Sequence, residues 1–85
     1  MPTRVVVYTT TYCPYCVRAT ALLRNKGIGY REVDVTGNTE LRRWLRETTG
    51  RLTVPQIFID DQPIGGYDDL AALEKDGKLN QLCDG

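Results

Sequence analysis

The sequence predicts an α/β fold: a four-stranded mixed sheet flanked by helices, in the order β-α-β-α-β-β-α. Three observations carry this. Two short runs, RVVVYT and VPQIFI, are rich in β-branched and aromatic residues and are bounded by polar ones. Between and after them, apolar residues recur at i, i+3 and i+4, the spacing of a helix face. Glycines at 27, 50 and 77 stand where those helical patterns stop.

Residues 4–9 (RVVVYT) form a strand, mostly buried, and residues 10–12 a short loop. Cys13-Pro14-Tyr15-Cys16 then opens a helix to about residue 26. Pro14 suits the first turn, where its missing N–H has no partner to lose. Cys16, Ala19, Leu22 and Leu23 recur at helical spacing, and Gly27 and Gly29 end the helix. Residues 30–35 (YREVDV) alternate apolar and charged, the period of a strand. Asn38 or Thr39 caps the next helix. Leu41, Trp44 and Leu45 make its apolar stripe, with arginines on the other faces, and Gly50 stops it. Residues 54–59 are a strand, Asp60-Asp61 a turn and residues 62–64 a short second strand, together a hairpin. Gly65-Gly66 breaks the hairpin. Residues 68–75 (DDLAALEK) form a helix with acids in its first turn and a base in its last, as the helix dipole prefers. Gly77 separates a short turn or helix over residues 79–83. Two β-α-β crossovers followed by a hairpin place helices on both faces of the sheet. With no internal repeat, low-complexity segment or linker, residues 1–85 read as one domain.

Composition narrows the chemistry. A chain of 85 residues buries only about 60–65% of the surface its unfolded form exposes, so no spare core exists for a large cofactor. Apolar residues make up 41%, ordinary for a globular protein. No apolar run approaches the roughly 20 residues of a membrane span. The N-terminus turns polar too quickly for a signal peptide, so a cytoplasmic protein is expected. Net charge is zero, which argues against a nucleic-acid partner. Residues 1–51 nevertheless carry nine bases and four acids, and residues 52–85 two bases and seven acids. Mutual neutralisation of the halves is one reading. A basic patch from Arg42, Arg43, Arg46 and Arg51 facing an anion is the other. Absence of histidine removes Ser-His and Cys-His catalysis and His-ligated metal, leaving cysteine as the chemical candidate.

Cys13-x-x-Cys16 in a β-α-β context reads as a thiol–disulfide redox motif. A helix N-terminus carries free N–H groups and about half a positive charge, and both favour a thiolate at Cys13. Cys13 precedes the helix and is expected outside; Cys16, one turn on, is turned inward and is the natural resolving thiol. Half of a zinc site lacks ligands, since only Cys83 remains. Two inert core cysteines are the other alternative. Cys83 reads as a helix-packing or surface thiol, and no metal site is expected.

The second half offers a binding surface. Pro55 after Thr53-Val54 is either a strand-entry residue or a cis proline. In the cis form it would turn the Val54 backbone outward to pair with an extended peptide. Gly65-Gly66 before Tyr67-Asp68-Asp69 is either an ordinary helix start or a ligand element, with a helix N-terminus for a carboxylate and an Asp for an amino group. Tyr15 can wall such a site.

Taken together, VVVYTTTYCPYC (5–16), TVPQIFID (53–60) and IGGYDDL (64–70), in this order and spacing, resemble the glutaredoxins over nearly the whole chain, most like the dithiol bacterial type. The resemblance implies a thioredoxin-like fold and a glutathione-dependent thiol–disulfide oxidoreductase. On it, Cys13 is the nucleophile and Cys16 the resolving thiol, joined as a redox-active disulfide when oxidised. Glutathione is the co-substrate, with no bound cofactor. Its contacts fall on Tyr15, Thr53, Val54, a cis Pro55, Gly66, Tyr67 and Asp68. Partners would be disulfide-bonded or glutathionylated proteins, ribonucleotide reductase among them, and the chain would act as a monomer away from membranes.

Three positions depart from the family pattern. Thr10 stands where many members have Lys or Arg, so Arg51 or an arginine of the second helix is expected to substitute. Tyr12 beside Cys13 is expected to narrow access, and Tyr67 to cap its helix poorly while adding an aromatic wall. Two other functions compete: a redoxin fed by thioredoxin reductase and donating electrons to ribonucleotide reductase, and a carrier holding a [2Fe–2S] cluster between two copies of Cys13 and two glutathiones.

Overall fold

Val5, Val7 and Thr9 point to one side of the first strand while Val6 and Tyr8 face the other, and this alternation divides the whole molecule. The computed structural model describes residues 4–83. Its elements are β1 (Val5–Thr9), α1 (Pro14–Asn25), β2 (Arg31–Asp34), α2 (Thr39–Thr49), β3 (Gln56–Ile59), β4 (Gln62–Gly65), α3 (Tyr67–Lys75) and α4 (Lys78–Cys83). On one face, Val5, Val7, Ile57 and Ile59 pack against Ala19 and Leu23 of α1, Leu70 of α3 and Leu79 of α4. On the other, Phe58 packs with Val35 and Leu45, so α2 covers that side. Complete burial of a leucine such as Leu23 or Leu70 contributes about 1.5–3 kcal/mol. Trp44 of α2 stacks on Phe58 at 5.6 Å between ring centroids and leaves its outer edge in solvent. Cys83 packs against the first cluster from the end of α4.

The helix ends follow local chemistry. Asn38 caps α2 through its side chain, accepting the Leu41 N–H at 3.0 Å. Gly50 closes the same helix in the left-handed region at φ 73°. No helix of the described residues is long and apolar enough to cross a membrane.

The sheet runs β2-β1-β3-β4. β1 and β2 are parallel, joined through α1 as expected. The second connection is different: β3 is antiparallel to β1 and pairs with it rather than with β2. After the eleven residues of α2, residues 50–55 return the chain to the end where β1 leaves the sheet, so Gln56 pairs with Tyr8. This reversal matters for function. It sets Thr53-Val54-Pro55 beside the segment that follows β1, where Cys13 lies.

Candidate active site

Cys13 is the N-cap of α1, with extended backbone (φ −148°, ψ 94°), and its Sγ accepts the Cys16 N–H at 3.1 Å. Pro14 takes the first helical position, as its missing N–H allows. Cys13 is half-buried and Cys16 is 4% exposed, so one sulfur looks outward and the other into the core. The two are joined as a disulfide. Cys13 Sγ also lies 3.7 Å from the carbonyl oxygen of Val54, 41 residues further along the chain.

The Val54–Pro55 peptide is cis and Pro55 is buried. Gln56 clamps this loop from inside, its Nε2 donating to the Thr53 carbonyl at 2.7 Å. Beside the loop lies the start of α3. Gly66 approaches the Pro55 carbonyl so closely that an added Cβ would stand 3.4 Å from it. Asp69 folds back on its own helix start and accepts the Gly66 N–H at 3.0 Å. The same carboxylate oxygen accepts from Arg51 Nη1 at 2.9 Å, tying the α2–β3 loop to α3. The Arg51 guanidinium, then the Gly66 amide, holds the Asp69 carboxyl below the usual carboxylate range.

These elements enclose one groove. Tyr15 of α1 forms one wall, Thr53, Val54 and Pro55 the floor, and Gly66, Tyr67 and Asp68 the opposite wall. All seven residues expected around a ligand therefore line it. The Tyr15 and Tyr67 rings face each other at 6.1 Å between centroids, and the Arg18 guanidinium sits 5.3 Å from the Tyr15 centroid. Tyr67 thus supplies the aromatic wall, while the cap position of α3 is Gly66, whose N–H Asp69 takes up. Arg51 lines the groove, and the arginines of α2 do not. Tyr12, beside Cys13, is 95% exposed and lines no part of the groove. Asp69 and Gln56 were not singled out from sequence. Two adjacent acids at a helix start look alike until Arg51, 18 residues away, selects one of them.

A redox disulfide at a helix N-terminus, beside a cis-proline loop and a Gly-Gly helix start, meets the comparison with known proteins directly. The glutaredoxin family model matches residues 5–64. The chain belongs to the glutaredoxin family. It is a glutathione-dependent thiol–disulfide oxidoreductase, and Cys13 and Cys16 are its redox pair. A glutaredoxin of Pseudomonas aeruginosa is 51% identical over 78 residues, 92% of this chain and 93% of that protein. Glutaredoxin 3 of Escherichia coli K12 is also 51% identical, over 92% of this chain and 94% of its own length. Among solved structures, a buckwheat glutaredoxin–glutathione complex superposes with a TM-score of 0.90 at 32% identity, covering 96% of this chain and 77% of that one. The thioredoxin-like arrangement of this glutaredoxin is therefore shared with relatives only about one-third identical to it.

Proposed function

We propose that Cys13 is the attacking thiol of this oxidoreductase, that Cys16 resolves the intermediate, and that glutathione occupies the groove bounded by Tyr15, Val54 and Tyr67. The observation that carries this is the position of Cys13 Sγ, half-exposed at the groove edge and 3.7 Å from the Val54 carbonyl oxygen.

The chemistry balances as two exchanges. The Cys13 thiolate attacks one sulfur of a substrate disulfide, forming a mixed disulfide and releasing the other sulfur as a thiolate that takes up a proton. Cys16 then attacks Cys13 Sγ, releasing the second substrate thiol and leaving the Cys13–Cys16 disulfide. The substrate gains two electrons and two protons. One glutathione thiolate reopens that disulfide at Cys13, freeing Cys16, and a second displaces the first as glutathione disulfide. With a glutathionylated protein, Cys13 alone suffices: it takes the glutathione, and a second glutathione removes it. The N–H of Cys16, directed at Cys13 Sγ, and the partial positive charge at the start of α1 stabilise the thiolate.

The groove suits the tripeptide group by group. The Val54 backbone pairs with the cysteinyl unit, with Thr53 and Pro55 fixing the edge. The N-terminus of α3 at Gly66 and Tyr67 receives the γ-glutamyl carboxylate, and Asp68 its amino group. Arg51 supplies the cation that Thr10 does not, since a guanidinium has five N–H donors and Asp69 engages one of its nitrogens. Protein disulfides and glutathionylated proteins are the substrates in this reading, and the cytoplasm, where thiols are kept reduced, is the compartment it assigns to the chain.

The test is reduction of a glutathionylated peptide with glutathione, glutathione reductase and NADPH, by the native chain and by Cys16→Ser. Activity in both, with loss of protein-disulfide reduction in Cys16→Ser, is the expected result. Inactivity of both towards the glutathionylated peptide, with turnover by thioredoxin reductase, would replace this reading by the thioredoxin-reductase-fed redoxin.

A further inference from the structure

The charge asymmetry between the two halves is only partly neutralised by folding. Among the described residues, two salt bridges join the halves: Lys26 to Glu74 at 3.2 Å and Arg51 to Asp69 at 2.9 Å. Arg42, Arg43 and Arg46 of α2 are exposed and take part in neither. They lie within one turn of one another, so their charges add on one side of the helix.

These arginines are not isolated from the active site. The glutathione groove shares Arg51, Thr53 and Val54 with a second depression, floored by Val35 and Leu45. That depression shares Arg42 and Leu52 with a third, bordered by Thr39, Arg43 and Arg46. Through these shared residues the three depressions adjoin one another, from the groove beside Tyr15 across the α2–β3 loop onto α2. Leu52, 70% exposed, stands at the last junction between an apolar floor and the arginines.

We propose that this path is the docking groove for the polypeptide around a substrate disulfide, and that it selects segments with acidic residues near the reacting cysteine. The inference rests on the proposed reading of Cys13 and deepens it by naming a substrate class. An apolar side chain of the segment covers Leu52 while its carboxylates meet the α2 guanidiniums, which favour planar two-oxygen partners. Glutathione alone does not explain the surface, because none of the three α2 arginines lines the groove by Tyr15 and Tyr67. A phosphate backbone fits less well, since the chain has no net positive charge to draw a polyanion. Exposed guanidiniums of this kind, offset on the same helix by Glu40 and Glu47, act chiefly on association rate and partner choice, and are screened by salt.

The experiment compares glutathionylated peptides of one length, with the flanks of the cysteine carrying three Asp, three Asn or three Lys, the charges placed before or after it. The native chain should show roughly tenfold higher kcat/KM for one acidic arrangement than for the Asn peptide at low salt. That preference should vanish at about 0.5 M salt, where the screening length is only a few ångströms. R42E/R43E/R46E should reverse it in favour of Lys, while activity on the small mixed disulfide of glutathione and mercaptoethanol stays within twofold. That small substrate reports on Cys13 and the glutathione groove alone, so its failure with the native chain strikes the proposed function rather than the docking surface. Circular dichroism confirms that the variant is folded; R42Q/R46Q, which should abolish the acidic preference without reversing it, serves if it is not. Equal kcat/KM for all peptides, or an acidic preference that survives either set of substitutions, would overturn the proposal. So would inhibition by a single-stranded oligonucleotide as strong as by the free acidic peptide, which would reassign the surface to phosphate.

Discussion

The Gln56 side chain, 1% exposed, reaches back three residues and donates from Nε2 to the Thr53 carbonyl at 2.7 Å. The bond spans Val54 and Pro55, so it fixes the loop whose backbone faces the redox pair. The Gln56 Oε1 atom is buried without a partner, a situation that costs about 1–3 kcal/mol. A side chain retained in this state is explained by the clamp it makes. Gln56→Leu conserves most of the volume, removes the unpaired oxygen and frees the Thr53 carbonyl to water. Its unfolding midpoint should change little, while KM for glutathione rises several-fold and kcat falls less. Urea titration and steady-state kinetics check this; a lowered midpoint with unchanged KM would assign Gln56 to the core alone.

Asp69 couples the groove to pH. Its carboxyl is held below the ordinary value of 3.8 by Arg51 and the Gly66 amide. A depressed native pKa contributes stability that is fully present above the unfolded value and lost as pH falls through the native one. The contribution should therefore be intact at neutral pH and disappear in acid below about pH 4. Asp69→Asn should be less stable at pH 7 by about 1 kcal/mol, the usual worth of such a helix-start bond, the exposed ion pair adding little. The gap between the two proteins should narrow as pH falls below the ordinary carboxylate value. Asp34, held low chiefly by the Thr36 N–H, gives the same sign in both proteins and cancels from the difference. Urea unfolding across pH 3–7 reads the gap directly.

Much of this site was visible in the sequence because it is built from local rules. Cys13 before Pro14 marks a helix start through the chemistry of the first turn, and Asn38 and Gly50 bound α2 in the same way. The β-branched run of β1 and the helical spacing of Cys16, Ala19, Leu22 and Leu23 marked buried elements without knowledge of partners. What was missed depends on distant contacts. The direction of β3 follows from how residues 50–55 return to the sheet, and nothing in the period of VPQIFI records direction. Strand limits shifted for a related reason: Val54 carries strand propensity but lies, with Pro55, outside the ladder, facing the groove. The 95% exposure of Tyr12 likewise follows from the course of the loop after β1, which the local pattern does not record.

Gly65 is required by both conformation and space. It adopts φ +123°, a region L side chains rarely enter, and an added Cβ would overlap the Asp69 carboxylate. Gly65→Ala should cost about 1–3 kcal/mol from the backbone alone. It should also push Asp69 off the Gly66 N–H and so weaken glutathione binding. Gly29 is the control: its φ is unexceptional and no atom lies within 4 Å of an added Cβ. Gly29→Ala should leave stability unchanged or raise it by about 0.4–1 kcal/mol through the unfolded chain. Thermal unfolding of the two variants side by side separates a glycine required by its surroundings from one that is not.

Cys13 has a structural duty separable from its chemistry. As the N-cap of α1 it accepts the Cys16 N–H on Sγ, and a serine oxygen performs that duty at least as well. Both Cys13→Ser and Cys13→Ala should be inactive towards every disulfide substrate. Their stabilities should differ. Measured against the reduced native chain, so that no disulfide contributes, Cys13→Ser should unfold at the same midpoint or higher. Cys13→Ala should lose about 1 kcal/mol, with the Cys16 N–H left without its acceptor. Equal midpoints for the two variants would show that Sγ does not cap the helix. The expected order instead separates loss of the nucleophile from loss of the helix start, and makes Cys13→Ser the folded, inactive reference for kinetic work on this enzyme.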